Sequence, residues 1–497
     1  MAQIQETSQR ELSCNYRFCS IKLGGNKVSE QKFLFLTFKA YFWVSIMILN
    51  SLYTHQRTGK NLATSASRTD FQRDFDRIIF SAAFRRLQNK TQVFPLPGSV
   101  FVHNRLTHSL EVSSVGRSLG SVVGDFIFKN YENDLYENAR NFYQHQLHNV
   151  IAAACLCHDV GNPAFGHSGE DAIASYFEKN EKDLKHKFSE KEWADLVNFE
   201  GNANAIRVLT HQQKGKDEGG TQLTYSTLAS IAKYPCEAIA KKKGVIHRKK
   251  FGFFQNEKDT FLEIARSVNM VQENEEPTIF KRHPFVWLVE AADDICYNII
   301  DMEDAHRLGI VSTSDCENLF FELIKSENQN TKRVEDKLAV LTNANERISY
   351  LRAKVINALI NKSIEIYESN FSKILEGNFE TALLDLYKSE NKSLQEIESF
   401  SIDKIYGHKA VVEIENAGYN VMNELLNHFI PPILKEKSMH KSYDKMALKL
   451  LPQQFLYEDG TDYQKVLGVI DFVSGMTDNF ATDLYRKIKG IDIGMTM

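Results

Sequence analysis

Apolar residues recur at three- and four-residue spacing through most of the chain, as expected of helices that bury one face. The segments TDFQRDFDRIIFSAAFRRLQ (69–88), EVSSVGRSLGSVVGDFIF (111–128) and HPFVWLVEAADDICYNIIDMEDA (283–305) carry this pattern most clearly. Alternating runs are scarce, and only KTQVFPL (90–96) and KKFGFFQ (249–255) read as extended. The expected fold is all-α, a helical bundle with additional C-terminal helices and at most a small β element. Polar, charge-rich stretches at 179–192, 212–221, 241–250, 271–277 and 325–335 read as loops. No internal repeat is visible. Histidine, aspartate and glycine punctuation is concentrated in the first half. From about residue 315 the chain is amphipathic helix with lysine and glutamate faces.

Composition narrows the picture. A chain of 497 residues with 43% hydrophobic and 25% charged residues is an ordinary globular mixture. The formal net charge of -4 supplies no global basic field for nucleic acid, so an anionic ligand must be held by local charge. Seven cysteines (Cys14, Cys19, Cys155, Cys157, Cys236, Cys296 and Cys316) do not make a disulfide framework in so long a chain. Cys155 and Cys157 sit in the apolar run IAAACLCHD and read as buried free thiols, which points to a reducing, cytoplasmic compartment. Residues 33–49, FLFLTFKAYFWVSIMIL, are apolar apart from Lys39 and a few hydroxyls. Three readings stay open for them: a membrane anchor, an accessory helix, or an extension upstream of a natural start near Met47. The segment is short for a span, contains a lysine and lacks a convincing signal-peptidase site, so the membrane reading ranks low. The extension is preferred because interpretable sequence begins near His55.

The chemistry starts from the adjacent pair His158-Asp159. Both side chains can reach one metal only at a tailored helix end, and the following Val160-Gly161-Asn162-Pro163 ends a helix. Alone, the dipeptide reads as a capping or surface pair. Two distant residues change that. His108 lies in NRLTHSLEV at the start of an amphipathic helix, and Asp293 lies in EAADDICYNIID inside an apolar helical run. A carboxylate pair in such a run is costly unless cations or a metal compensate. Four protein ligands of this kind leave coordination positions open for water or a phosphate oxygen. In HDVGNPAFGHSGE, Gly161, Gly166 and Gly169 permit close backbone approach and Pro163 stiffens the turn. His167 and Glu170, three apart, share a helical face, as a proton-transfer pair would. Read blandly, they are a cap and a first-turn glutamate.

These segments, with FRRLQNKTQVFPL, NRLTHSLEVSSVGRSLG, NFEGNANAIRVL, LASIAKYP and KKFGFFQNEKD in the same order, make the chain resemble the deoxyguanosine triphosphate triphosphohydrolase family of the HD superfamily. The likeness covers roughly residues 55–490, more loosely after 320, and leaves the N-terminal extension unmatched. It implies three regions: an extension over 1–50, an HD catalytic domain over 51–315, and a helical region over 316–497 that braces or oligomerises. It implies the metal ligands His108, His158, Asp159 and Asp293. Spacing alone leaves Asp293 and Asp294 both open; Asp293 is preferred because Tyr297 and Asp301 then follow on its face at four and eight residues. The resemblance makes His167 the catalytic histidine with Glu170 as its partner. It makes Gln92 the partner of the sugar 3′-hydroxyl and Arg105 a phosphate clamp, with Asn202, Lys233, Lys250, Tyr297 and Asp301 as further substrate contacts. Among bland alternatives, Gln92 would cap a turn and Arg105 would pair with Glu111.

The implied activity is metal-dependent hydrolysis of dGTP, or of other dNTPs, to deoxynucleoside and triphosphate by water attack at the α-phosphorus. The implied cofactor is one divalent ion, Mn or Mg ahead of Fe, Co, Ni or Zn. A homo-oligomer, up to a hexamer, is the expected assembly. The basic run KKKGVIHRKK (241–250) reads either as a solvated loop or as an electropositive rim for triphosphate and single-stranded DNA. Competing readings are an HD phosphohydrolase for another nucleotide, and a non-catalytic nucleotide- or DNA-binding module, whose mark would be a missing metal ligand.

Overall fold

Helix boundaries follow local capping chemistry. Helix α1 (Asp70–Phe80) opens on a Thr69–Gln72 capping box. It stops at Ser81, whose extended backbone and hydroxyl cap the next short helix by accepting the Phe84 N–H at 3.1 Å. The continuous periodicity of 69–88 therefore spans two helices, because a serine cap outweighs an unbroken apolar pattern. The computed structural model describes residues 47–59, 67–94, 102–215, 217–327 and 331–494. All of them fall within the unit 45–497. Most of the apolar stretch 33–49, together with Cys14 and Cys19, lies outside the described residues.

Helix α2 (Arg105–Tyr131) begins at a capping box formed by Asn104 and Thr107. Helix α3 (Leu147–Cys157) packs along it and is buried from Val150 to Cys157. The close fit rests on a four-spaced glycine stripe in α2. A Cβ at Gly116 would stand 2.4 Å from Cys155 Sγ, one at Gly120 2.9 Å from His148 Cα, and one at Gly124 2.2 Å from the Tyr143 carbonyl oxygen. No larger residue fits without moving backbone or core atoms. This contact sets how α2, carrying His108, meets the end of α3, where His158 follows.

Helices α4 (Gly166–Lys179), α5 (Gly201–Thr210) and α6 (Tyr225–Ile231) follow, and then a two-stranded antiparallel ribbon, β1 (Gln272–Asn274) with β2 (Ile279–Phe280). A long helix α7 (Val286–Arg307) leads to α8 (Ala344–Ser369), α9 (Lys409–Leu434), α10 (Asp462–Ser474) and α11 (Asp478–Ile488). The all-α expectation with a small β element holds. The β element is not where the pattern put it. Its first strand lies in the stretch 271–277 read as a loop, because β1 is wholly exposed and polar and carries no alternation; β2 follows just beyond it as two buried apolar residues. Thr91 of the first expected strand makes only an isolated bridge to Asn104. The second is an irregular segment whose Phe251, Phe253 and Phe254 are fully buried. The expected loop at 179–192 contains the short helix Glu181–Leu184 and the start of another helix at Glu190, capped by a Ser189–Glu192 box. The expected loop at 325–335 likewise gives way to a helix from Thr331.

Two hydrophobic clusters organise the helices. One joins α1, α2, α3, α6, α7 and α8. The other joins α4, α9 and α10. Each fully buried aliphatic side chain in them contributes about 1.5–3 kcal/mol relative to exposure. The five described cysteines are buried free thiols. Among the described residues, no helix is long and apolar enough to cross a membrane.

Candidate active site

A cavity of about 500 Å³ opens where the two clusters meet, walled by residues of α2, α4, α7 and α9. Helix α3 ends at Cys157, and His158 is its C-cap. The His158 Nδ1–H donates to the Cys155 carbonyl at 2.7 Å. That bond leaves Nε2 as the bare nitrogen, and Nε2 is buried without a hydrogen-bond partner. It lies 3.4 Å from Asp293 Oδ1 and 3.5 Å from Asp159 Oδ2. His108 Nε2, from the first turns of α2, lies 3.2 Å from the same Asp293 oxygen. Donor atoms of His108, His158 and Asp293 all fall within 4.8 Å of one another.

The carboxylates are held in their ionised form. Burial raises the Asp159 pKa, but the Arg105 guanidinium, 2.7 Å away, outweighs it and brings the group to about 2. Burial acts likewise on Asp293 and is overcome by Lys233, at 3.0 Å, and by the two histidines, leaving the carboxyl well below its usual range. Asp294 behaves oppositely: burial and the neighbouring Glu290 push its carboxyl well up. The three-donor group contains Asp293 and not Asp294. Asp159, the fourth expected ligand, is outside this group: its oxygens accept from Arg105 at 2.7 Å and Asn162 at 2.6 Å, and Oδ2 stands beside His158 Nε2. Two imidazoles and one ionised carboxylate within reach of one point, with a second carboxylate alongside, fit a first-row divalent cation or magnesium.

The expected turn after the pair is present. A Cβ on Gly161 would lie 2.1 Å from the Gly201 carbonyl oxygen, so α5 presses directly on this backbone. Asn162 Nδ2 donates to Asp159 Oδ1 at 2.6 Å. His167 sits in the first turn of α4 with its ring 82% exposed toward the cavity and Nδ1 3.0 Å from Glu170 Oε2. The bond to Glu170 raises the His167 pKa above its ordinary value. Glu170 is itself anchored by accepting the Gly201 N–H at 2.9 Å.

The remaining residues singled out in the sequence fall around the same space. Gln92, Arg105, Asn202, Lys233, Lys250 and Tyr297 line the cavity. Gln92 Oε1 and Arg105 Nε are buried without partners. Arg105 pairs with Asp159 and not with Glu111, which instead meets His103 at 3.2 Å. Lys250 pairs with Glu200 at 2.7 Å, and Asn202 Nδ2 donates to the same glutamate at 2.6 Å. Asp301 is not in the wall. It is 2% exposed and accepts the Tyr406 hydroxyl at 3.0 Å, so it meets the cavity only through that tyrosine.

Tyr406 and Glu200 escaped the sequence reading. Tyr406 closes a π-helical turn (Ile402–Tyr406) and stacks on Tyr297 with ring centres 5.4 Å apart. Val411 and Glu415 join it from the second half of the chain. No periodicity links these positions to Tyr297. Glu200 carried a usable signal, lying in NFEGNAN directly before a helix.

Residues 105–233 match the HD domain, and residues 386–487 match a phosphohydrolase-associated domain. Fold and site together thus define an HD-domain phosphohydrolase. A deoxyguanosinetriphosphate triphosphohydrolase-like protein of Synechocystis sp. is 37% identical over 89% of this chain and 99% of its own length. One from Pseudomonas aeruginosa is 36% identical over 88% and 98%. A deoxyguanosinetriphosphate triphosphohydrolase of Yersinia enterocolitica is 30% identical over 84% and 93%. The chain belongs to the family of deoxyguanosinetriphosphate triphosphohydrolase-like proteins.

Proposed function

We propose that this phosphohydrolase cleaves dGTP, and other dNTPs in second place, to deoxynucleoside and triphosphate. The observation that carries the reading is the unpartnered His158 Nε2 beside two ionised carboxylates, at the foot of a cavity that also holds His167, Gln92 and Tyr297. A divalent ion held by His108, His158, Asp159 and Asp293, with Mn or Mg foremost, would polarise a phosphate oxygen and acidify water. Water attacks the α-phosphorus, the bond from phosphorus to the sugar 5′-oxygen breaks, and the deoxynucleoside leaves from the opposite side while the water oxygen stays on the triphosphate. His167, whose pKa the bond to Glu170 raises, donates its proton to the departing 5′-oxygen.

Arg105, through its free Nε, and Lys233 and Lys250 neutralise the tripolyphosphate. Gln92 Oε1 accepts the sugar 3′-hydroxyl, which gives a buried acceptor its missing donor. The Tyr297–Tyr406 pair forms a flat wall for the nucleoside, with Asp301 holding Tyr406 from behind. Action in the cytoplasm as a homo-oligomer, with single-stranded DNA as an effector at the 241–250 rim, completes the proposal.

Product analysis tests it. Purified protein with dGTP and Mn or Mg should yield deoxyguanosine and intact triphosphate. Orthophosphate or pyrophosphate as the first phosphorus product sinks the reading. A dNTP panel with and without single-stranded DNA sets the substrate preference and the effector role.

A further inference from the structure

The first residue of α11 is a fully buried carboxylate that the scheme above leaves unused. Asp478 is 1% exposed. Its Oδ2 accepts the Thr91 backbone N–H at 2.9 Å and also the Thr91 hydroxyl. Its Oδ1 accepts the Phe165 backbone N–H at 3.1 Å. The partners lie 387 and 313 residues away in the chain. None of these bonds serves the helix on which Asp478 sits; that helix is capped by Thr477, which accepts the Phe480 N–H. Both oxygens are spent on two distant loops.

Those loops carry the cavity's chemistry. Thr91 immediately precedes Gln92, and Phe165 stands two residues before His167. Phe165 has φ 61°, a left-handed conformation that costs a non-glycine residue on the order of 1–2 kcal/mol. Such a backbone persists only where its surroundings hold it. The last residue of α10, Ser474, makes further ties around the same loops. Lys90 Nζ donates to the Ser474 carbonyl at 2.8 Å and to the Asn162 carbonyl at 2.5 Å. Asn204 Nδ2 donates to the Gly161 carbonyl at 2.6 Å and to Ser474 Oγ at 3.3 Å.

We propose that Asp478 is a positioning residue, which holds Gln92 and His167 in register across the cavity by binding the Thr91 hydroxyl together with the backbone N–H groups of Thr91 and Phe165. It touches neither substrate nor metal ligands. The roles of Gln92 and His167 rest on the proposed function; the tether between the loops does not.

Asp478→Asn tests it. The amide keeps the shape, but only one of its two polar atoms accepts, so one backbone tether is lost whichever way it turns. Faster amide hydrogen exchange is expected in peptides spanning 88–94 or 162–168, with bound Mn unchanged. A fall in kcat/KM for dGTP of about 10- to 100-fold is expected, as for a small misplacement of reacting groups. A change that merely destabilised the protein would lower the active fraction and leave KM and the preference for dGTP over its 2′,3′-dideoxy analogue untouched. Here KM should rise or that preference should shrink. Wild-type exchange in both loops overturns the tether, and wild-type KM and preference overturn its role in positioning. Thr91→Val, which removes only the hydroxyl arm, carries the kinetic test if Asp478→Asn does not fold: a smaller loss in the same direction supports the proposal, and wild-type kinetics refute it. If the wild-type protein hydrolyses no dNTP, the proposed function falls and the exchange measurement still decides the tether.

Discussion

His167→Ala should retain bound metal and lose about 10²- to 10⁴-fold in kcat, the range for a lost proton-transfer group. Metal content measured beside kcat checks this, and a parallel fall in both would make His167 a ligand. Glu170→Gln gives a pH test with a definite sign. The bond to Glu170 raises the His167 pKa, so the proton-donating form persists below that raised value and disappears as pH climbs through it. Without the carboxylate the pKa drops, and the descending limb of kcat/KM should move to lower pH; a limb that stays in place would remove Glu170 from the role. At this scale the legible residues were those with a local frame. His158-Asp159 announced itself through the turn behind it, and His167 with Glu170 through helical spacing. Tyr406 had no such frame, since a π-helical turn far along the chain brings it onto Tyr297. Asp301 had the right spacing, but whether it faced the cavity or Tyr406 depended on that unseen partner.

Helices meet here through backbone approach and through buried ion pairs, and each can be broken separately. Gly116→Val places a Cβ 2.4 Å from Cys155 Sγ and should cost about 1–3 kcal/mol in urea unfolding, as overpacking does. It should also weaken metal affinity, because α2 carries His108. Arg207 of α5, 2% exposed, donates to Glu257 at 2.5 Å and to Asp471 of α10 at 2.7 and 2.8 Å. Arg207→Ala strands two carboxylates and should destabilise the protein by about 3–5 kcal/mol in the same measurement. Near wild-type stability would mean that water reaches the pair. Among elements, long amphipathic helices were readable because burial enforces their period. The break at Ser81 and the helix after Ser189 depended on single caps that apolar periodicity ignores. The ribbon at 272–280 was hidden because its first strand is exposed and polar, with the composition of a loop, and its second is only two residues long.

The whole molecule is two packed cores with the chemistry at their seam, so metal binding should report on the fold as well as on turnover. Chelation should abolish hydrolysis and lower the melting temperature. Returning Mn at a hundred times its Kd should restore about 2.7 kcal/mol of stability, if the unfolded chain does not bind it. An unchanged melting temperature would argue that the ligands are not arranged as a site in the folded state. The sequence conveyed the helical class and the half that carries the candidate metal ligands. It did not convey that the second half lends Tyr406, Val411 and Glu415 to the cavity, because contacts between distant helices leave no periodic trace.

The carboxylate of Asp478 also has a meaning in time. At about 5–20 residues per second, a ribosome needs roughly 20 to 80 s to travel the 387 residues from Thr91 to Asp478. In the latter part of that interval, once Asp293 has been made, the helices carrying the proposed metal ligands can already have met, while the loops bearing Gln92 and His167 still lack the acceptor that joins them. A nascent chain would therefore pass through a stage that can take up metal without the means to turn over nucleotide, and competence would arrive with its closing helices.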